Sequence, residues 1–178
     1  MIHSNINNVN TLFKEVSKWN SVLELGCGEG RNLNRTTCSF KVGIDAFRLI
    51  LETHKVDGNL RIHYDLRKGL TNLLLPNSFD SIMLIDIIEH FEKPFAFQLL
   101  SECEQISRHL IVAFVPVGNH PQTTDDRGLG NDFYQTHRSS WQPEDFNNLG
   151  YDVSYIENYH NQPGKDRGAM FCIKELTP

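Results

Sequence analysis

Seven short apolar runs recur along the chain: SVLEL (21–25), KVGID (41–45), LRIHYD (60–65), FDSIMLID (79–86), HLIVAFV (109–115), YDVSYIE (151–157) and AMFCIKE (169–175). Runs of this length and near-continuous apolar character predict strands buried on both faces, and the helical or loop segments between them give the alternation of an α/β sheet. Leu12, Phe13, Val16 and Trp19 repeat at helical spacing and predict an amphipathic helix before the first strand. A second helix is predicted from about Pro94 through Phe97, Leu100, Cys103 and Ile106. A third, short one starts near Pro143, with Ser140 or Gln142 as its cap, and stops at Gly150. No helical pattern separates the last two runs, so they are expected to pair antiparallel and to put a reversed strand into an otherwise parallel sheet.

One stretch breaks the rhythm. From Pro116 to Ser140 apolar periodicity is lost, while two prolines, three glycines and many polar residues accumulate. A connection this long inside a compact domain is expected to serve as a lid or substrate loop, and Phe133, Tyr134, His137 and Trp141 give it side chains with which to pack. At 178 residues, with no internal repeat, the chain is expected to be one domain over 1–178.

Composition narrows the partners. A formal charge of -5 argues against a broad phosphate-binding surface, so nucleic acid is disfavoured and a small-molecule partner is expected. No window approaches the apolar length of a membrane span, and the polar start MIHSNINN has no signal-peptide regions, so a cytoplasmic location is expected. Cys27, Cys38, Cys103 and Cys172 form no CxxC pair and are expected to be free thiols.

The chemistry gathers at the ends of the predicted strands. The stretch LELGCGEGRN (23–32) places Gly26, Gly28 and Gly30 in the turn after the first strand, where glycine tolerates left-handed torsions and lets a ligand approach the backbone. A helix starting after such a turn would offer unpaired N–H groups to a carboxylate or phosphate. A dinucleotide fingerprint requires G-x-G-x-x-G, whereas this chain has Gly26-x-Gly28-x-Gly30 preceded by Glu24, which disfavours a nucleotide-dependent oxidoreductase. Asp45 closes the second run 21 positions after Glu24, where a carboxylate can accept from both hydroxyls of a ribose. Asp65, followed by Leu66, closes the third run, and Asp86 the fourth. In open α/β sheets, ligands bind at this carboxyl edge.

The pattern E-x-G-x-G-x-G in VLELGCGEGR closely resembles the first motif of class I S-adenosylmethionine-dependent methyltransferases, and the resemblance extends over nearly the whole chain. It implies a Rossmann-like seven-stranded sheet of order 3-2-1-4-5-7-6 with strand 7 antiparallel and helices on both faces. It further implies that Glu24 and Gly30 belong to the cofactor motif and that Gly26, Cys27 and Gly28 lie under the methionine part of S-adenosyl-L-methionine. Asp45 would hold the ribose, Asp65 with Leu66 would frame the adenine, and backbone near Ile85 and Asp86 would face the methionine amine. The stretch from Arg31 to Phe40 departs from the family in leaving room for only about two helical turns.

Methyl transfer from a sulfonium is an in-line displacement, and a hydroxyl acceptor profits from a base. His90, His120 and His137 follow strands four and five and are candidates, with His90 and His137 foremost; His3, His54 and His109 read as surface residues. Asp86, Glu89 and His90 share one face if a helix starts there, an arrangement that resembles the acid-x-x-Glu-His cluster of some metal-assisted O-methyltransferases, including enzymes of ubiquinone synthesis and small-RNA 2′-hydroxyl methylation. The simpler reading is that these residues shape the pocket, so weak or no metal dependence is expected. HRSSWQPEDFNNLGYDV (137–153) resembles a segment of small bacterial methyltransferases and implies that His137 and Arg138 border the acceptor pocket, while Trp141 packs the lid. The expected function is methyl transfer to a small-molecule hydroxyl, of a sugar or secondary metabolite; the alternative is a non-catalytic S-adenosylmethionine-binding sensor or complex subunit.

Overall fold

The computed structural model describes residue 6 and residues 8–53, 60–125, 127–160 and 168–177, so His3 and His54 lie outside the described residues. Its strands are β1 (Ser21–Leu25), β2 (Phe40–Asp45), β3 (Leu60–His63), β4 (Phe79–Ile85), β5 (Ser107–Pro116), β6 (Asp152–Ile156) and β7 (Ala169–Glu175). They form one seven-stranded sheet in the order β3-β2-β1-β4-β5-β7-β6. β7 runs antiparallel to both β5 and β6, and the remaining pairs are parallel. This is the order expected from the resemblance.

Side chains alternate across a strand, so neighbouring residues feed two different cores. Leu23, Leu25, Val42, Ile44, Ile82 and Leu84 point to one face and meet Ala96, Leu99, Leu100 and Cys103 of helix α3 (Lys93–Ile106). Val22, Met83, Val112 and Phe171 point to the other and meet Leu12, Phe13 and Val16 of helix α1 (Val9–Val16). Pro94, in the first turn of α3, supplies a helical φ and lacks an N–H that would have no partner there. A short helix α2 (Arg48–Thr53) follows β2. All four cysteines are free and buried. Among the described residues, no helix is long and apolar enough to cross a membrane.

Three expectations change. No α-helix follows the glycine bend: the stretch between it and β2 holds a single 3-10 turn, Leu33–Arg35, because the few residues available must cross back to the start of β2. β3 ends at His63 rather than at Asp65, whose carboxylate instead accepts from the Arg67 N–H (3.0 Å) and caps a 3-10 turn over Leu66–Lys68. The stretch from 116 to 140 contains a short helix α4 (Asp132–Gln135), and α5 (Pro143–Asn147) ends three residues before Gly150. Trp141 is fully buried between this stretch and the sheet, edge-on to Phe97 and close to Phe146, with its Nε1–H donated to Ser139 Oγ (2.9 Å).

The parallel strands end together. Their order brings Gly26, Asp45, Asp65 and Asp86 to one edge of the sheet, with the stretch after β5 folded across it.

Candidate functional site

The bend after β1 is wedged in place from two sides. The N–H groups of Gly26 and Cys27 both donate to the Ile44 carbonyl of β2 (2.8 and 3.0 Å), and the Gly30 N–H closes the turn on the Cys27 carbonyl (2.8 Å). Gly26 has φ +69, and a Cβ there would lie 2.5 Å from Ile87 Cδ1. On β2, a Cβ at Gly43 would lie 2.5 Å from Cys27 Sγ. Backbone thus replaces side chain where the bend crosses its neighbours.

Asp45 ties the bend to the next strand. One carboxylate oxygen accepts from the Gly28 N–H and the other from the Phe47 N–H, each at 2.8 Å. Desolvation raises the Asp45 carboxyl above its ordinary value, against the pull of these two donors. A carboxylate has about four acceptor positions, so Asp45 keeps capacity toward the cleft it lines.

Glu24 does not stand in the cleft. It is fully buried behind the bend, where Oε1 accepts from Asn32 Nδ2 (2.8 Å) and Oε2 has no hydrogen-bond partner. Desolvation pushes its carboxyl up to about 8, so at neutral pH it is a neutral strut under the bend and not a ligand contact. Gly30, likewise buried, serves the turn.

The bend opens on a cleft of about 610 Å³, a size suited to a cofactor-sized ligand. Gly26, Cys27, Gly28, Asp45, Asp86 and His90 form its floor, and Gln122, Arg127, Asn131 and His137 overhang it. A smaller chamber of about 70 Å³ adjoins it, walled by Asp65, Leu66, Phe91 and Tyr134. The overhang is fastened on both sides. Arg127 Nη1 reaches Glu29 Oε1 in the bend (3.0 Å), and the N–H groups of Arg138 and Ser139 donate to the Glu89 carbonyl (2.8 and 3.2 Å). Glu29 also pairs with the Arg31 guanidinium.

Asp86, after β4, has φ +50, an uncommon left-handed conformation for which aspartate is enriched. The side chain is exposed to the cleft, and desolvation by the protein around it raises its carboxyl above the ordinary value. The expected α-helical face over Asp86, Glu89 and His90 is absent, because Ile88–His90 is a 3-10 turn entered from that left-handed residue. Instead Glu89, His90 and His137 converge, with one ligand atom from each lying within 4.8 Å of the others.

Two carbonyl oxygens from the overhang orient the imidazoles. His137 Nδ1 lies 2.5 Å from the His120 carbonyl oxygen and His90 Nδ1 lies 3.4 Å from that of Thr136, so each ring donates from Nδ1 and keeps Nε2 as an acceptor. Burial, helped by the neighbouring His137, pushes His90 down to about 4 and keeps it neutral at pH 7. Glu89 is raised well above the usual carboxylate value by desolvation and by Asp86, and its Oε2 has no hydrogen-bond partner. One glutamate carboxyl beside two imidazoles is a donor set suited to a first-row divalent cation.

The motif pointed to the floor of the cleft but not to its roof. Arg127 and Asn131, in a loop without periodicity, gave no signal. The aromatic wall of Phe114, Tyr159 and His160 depends on how β5 faces the segment after β6, a tertiary relation.

No family model and no curated protein matches the sequence. Solved structures do match. The methyltransferase domain of bacterial CtHen1 is 17% identical, with a TM-score of 0.59 over 94% of this chain and 95% of that one. An S-adenosylmethionine-dependent methyltransferase from Archaeoglobus fulgidus is 18% identical, with a TM-score of 0.63 over 93% of each chain. Phosphoethanolamine N-methyltransferase 2 of Haemonchus contortus, solved with S-adenosyl-L-methionine, is 12% identical, with a TM-score of 0.64 over 95% of this chain and 52% of that one. Sheet order, the reversed seventh strand and these likenesses together give the chain the fold of the class I S-adenosylmethionine-dependent methyltransferases.

Proposed function

We propose that the protein transfers a methyl group from S-adenosyl-L-methionine to a hydroxyl of a small molecule, such as a sugar or secondary metabolite. The carrying observation is the glycine bend clamped by Asp45 at the mouth of a two-chambered cleft on the carboxyl edge of the sheet. In this reading Gly26, Cys27 and Gly28 lie under the methionine part, and Asp45 accepts from the ribose hydroxyls with its remaining lone pairs. Asp65 and Leu66 frame the adenine in the smaller chamber, and Asp86 meets the methionine amine. The bound cofactor supplies a methyl already activated on a sulfonium.

The chain contributes position and a proton acceptor. With the cofactor bound, the acceptor oxygen would take the activated methyl from its sulfur, and the hydroxyl proton would pass to His137 Nε2. The His120 carbonyl fixes the tautomer this step requires. His90, held neutral by burial, packs edge-on to His137 at 4.8 Å between ring centroids and positions it.

The convergence of Glu89, His90 and His137 favours a second reading of the acceptor side, in which these three hold a divalent cation that lowers the acceptor's pKa. His137 would then be a ligand and not a base.

Calorimetry with S-adenosylmethionine, S-adenosylhomocysteine and NAD tests the cofactor, and transfer of a labelled methyl into a panel of hydroxyl compounds tests the reaction. Binding of NAD alone would overturn the proposal; cofactor binding without transfer would favour a sensor. Loss of turnover in EDTA, restored by one divalent ion, would select the cation reading. Retained turnover in EDTA, with loss in His137→Ala, would select the base.

A further inference from the structure

Asn131 has no part in the reading above, yet its placement is unusual. It precedes the first residue of α4 in the overhang and is 7% exposed. An asparagine at that position ordinarily turns its carboxamide back to accept from the N–H groups of the first turn. Here it makes no such bond, and Oδ1 is buried without a hydrogen-bond partner. Its main chain is well held. The Asn131 N–H donates to Asp125 Oδ2 (3.2 Å), and its carbonyl accepts from the N–H groups of Tyr134 and Gln135 (3.1 and 3.0 Å). On this fixed backbone Asn131 lines both chambers of the cleft. A buried acceptor left open in a site is matched when a ligand brings a donor.

Asn131 shares the wall between the chambers with Gly26, Asp45 and Asp86. A ligand crossing from one chamber to the other passes this carboxamide with its middle. Resting on the cofactor assignment made above, we infer that Asn131 Oδ1 accepts a hydrogen bond from the nucleoside half of S-adenosylmethionine, whose ribose hydroxyls and exocyclic amine are its donors. The overhanging segment is then part of the cofactor site and not only a cover for the acceptor.

The test is calorimetric titration of wild type, Asn131→Ala and Asn131→Leu with S-adenosylhomocysteine and with 5′-deoxy-5′-methylthioadenosine, which keeps the nucleoside and lacks the amino acid. Urea unfolding of the unliganded proteins accompanies it. Both variants should bind both ligands roughly 5- to 10-fold more weakly, the loss of one hydrogen bond, while the unliganded proteins are no less stable than wild type. Leucine keeps the approximate shape of asparagine, so wild-type affinity in Asn131→Leu with weak binding in Asn131→Ala would reduce the residue to packing and overturn the inference. Loss confined to S-adenosylhomocysteine would overturn the assignment to the nucleoside, and unchanged affinity for both would overturn the contact. A wild type that binds neither ligand would instead sink the cofactor assignment itself.

Discussion

Replacing Gly26 by alanine puts one methyl group against the packed side chain of Ile87. The substitution costs about 1–2 kcal/mol for holding a Cβ in the left-handed region at φ +69. A second cost arises because the new methyl would lie 2.5 and 2.8 Å from Ile87 Cδ1 and Cγ1, and displacing a packed side chain costs about 1–3 kcal/mol. Reduced freedom of the unfolded chain returns about 0.4–1 kcal/mol. The net loss is about 1–5 kcal/mol, a fall in Tm of about 2–20 °C for a chain of this length. Gly128 is the internal control: its φ is +66, but a Cβ there meets nothing within 4 Å, so Gly128→Ala should lose no more than about 1.6 kcal/mol. Urea unfolding of both variants isolates the steric part by difference. Truncating Ile87 to alanine in the wild-type and Gly26→Ala backgrounds should show a favourable coupling of about 1–2 kcal/mol, because the clash is with that side chain. Equal losses at positions 26 and 128, or no coupling to Ile87, would refute the account of why the bend needs glycine.

Glu24, raised to about 8 against an ordinary value of 4.5, binds a proton in the folded state that the unfolded chain releases. It therefore contributes stability that is full below pH 4.5 and is lost as pH rises through 8, at no more than about 1.4 kcal/mol per unit; Glu24→Gln should flatten that part of the profile in urea titrations from pH 5 to 8. Trp141→Ala empties a fully buried site between the overhang and the sheet and should cost about 3–5 kcal/mol in equilibrium unfolding. Asp45→Ala removes both the clamp on Gly28 and the proposed acceptors for ribose, so calorimetric affinity for S-adenosylhomocysteine should fall at least about 100-fold, two charge-assisted bonds at the lower end of their range. A smaller loss would place the ribose elsewhere.

Most strands were readable because they are nearly continuous in apolar residues, and the reversed β7 because no helical pattern precedes it. Errors fell where local patterns compete with chain geometry. The expected helix after the bend gave way to one 3-10 turn, since β2 begins too soon at Phe40. Glu24 belongs to the motif, yet strand alternation already contained its true place: Leu23 and Leu25 face one core, and the residue between them must face the other side. The grouping of His137 with Glu89 and His90 is set by main-chain bonds from Arg138 and Ser139 to Glu89, which no spacing rule encodes.

The single turn at Leu33–Arg35 also determines how the cleft meets negative charge. A full helix there would aim roughly half a unit charge of aligned peptide dipoles at an incoming anion. One 3-10 turn sums few such dipoles, and the guanidinium groups nearest the bend, Arg31 and Arg127, both pair with Glu29 and have side chains 74% and 49% exposed. Exposed charges are screened over about 10 Å at 0.1 M salt. A carboxylate-bearing ligand should therefore be held more loosely as ionic strength rises, and more steeply so than in relatives whose bend leads into a long helix.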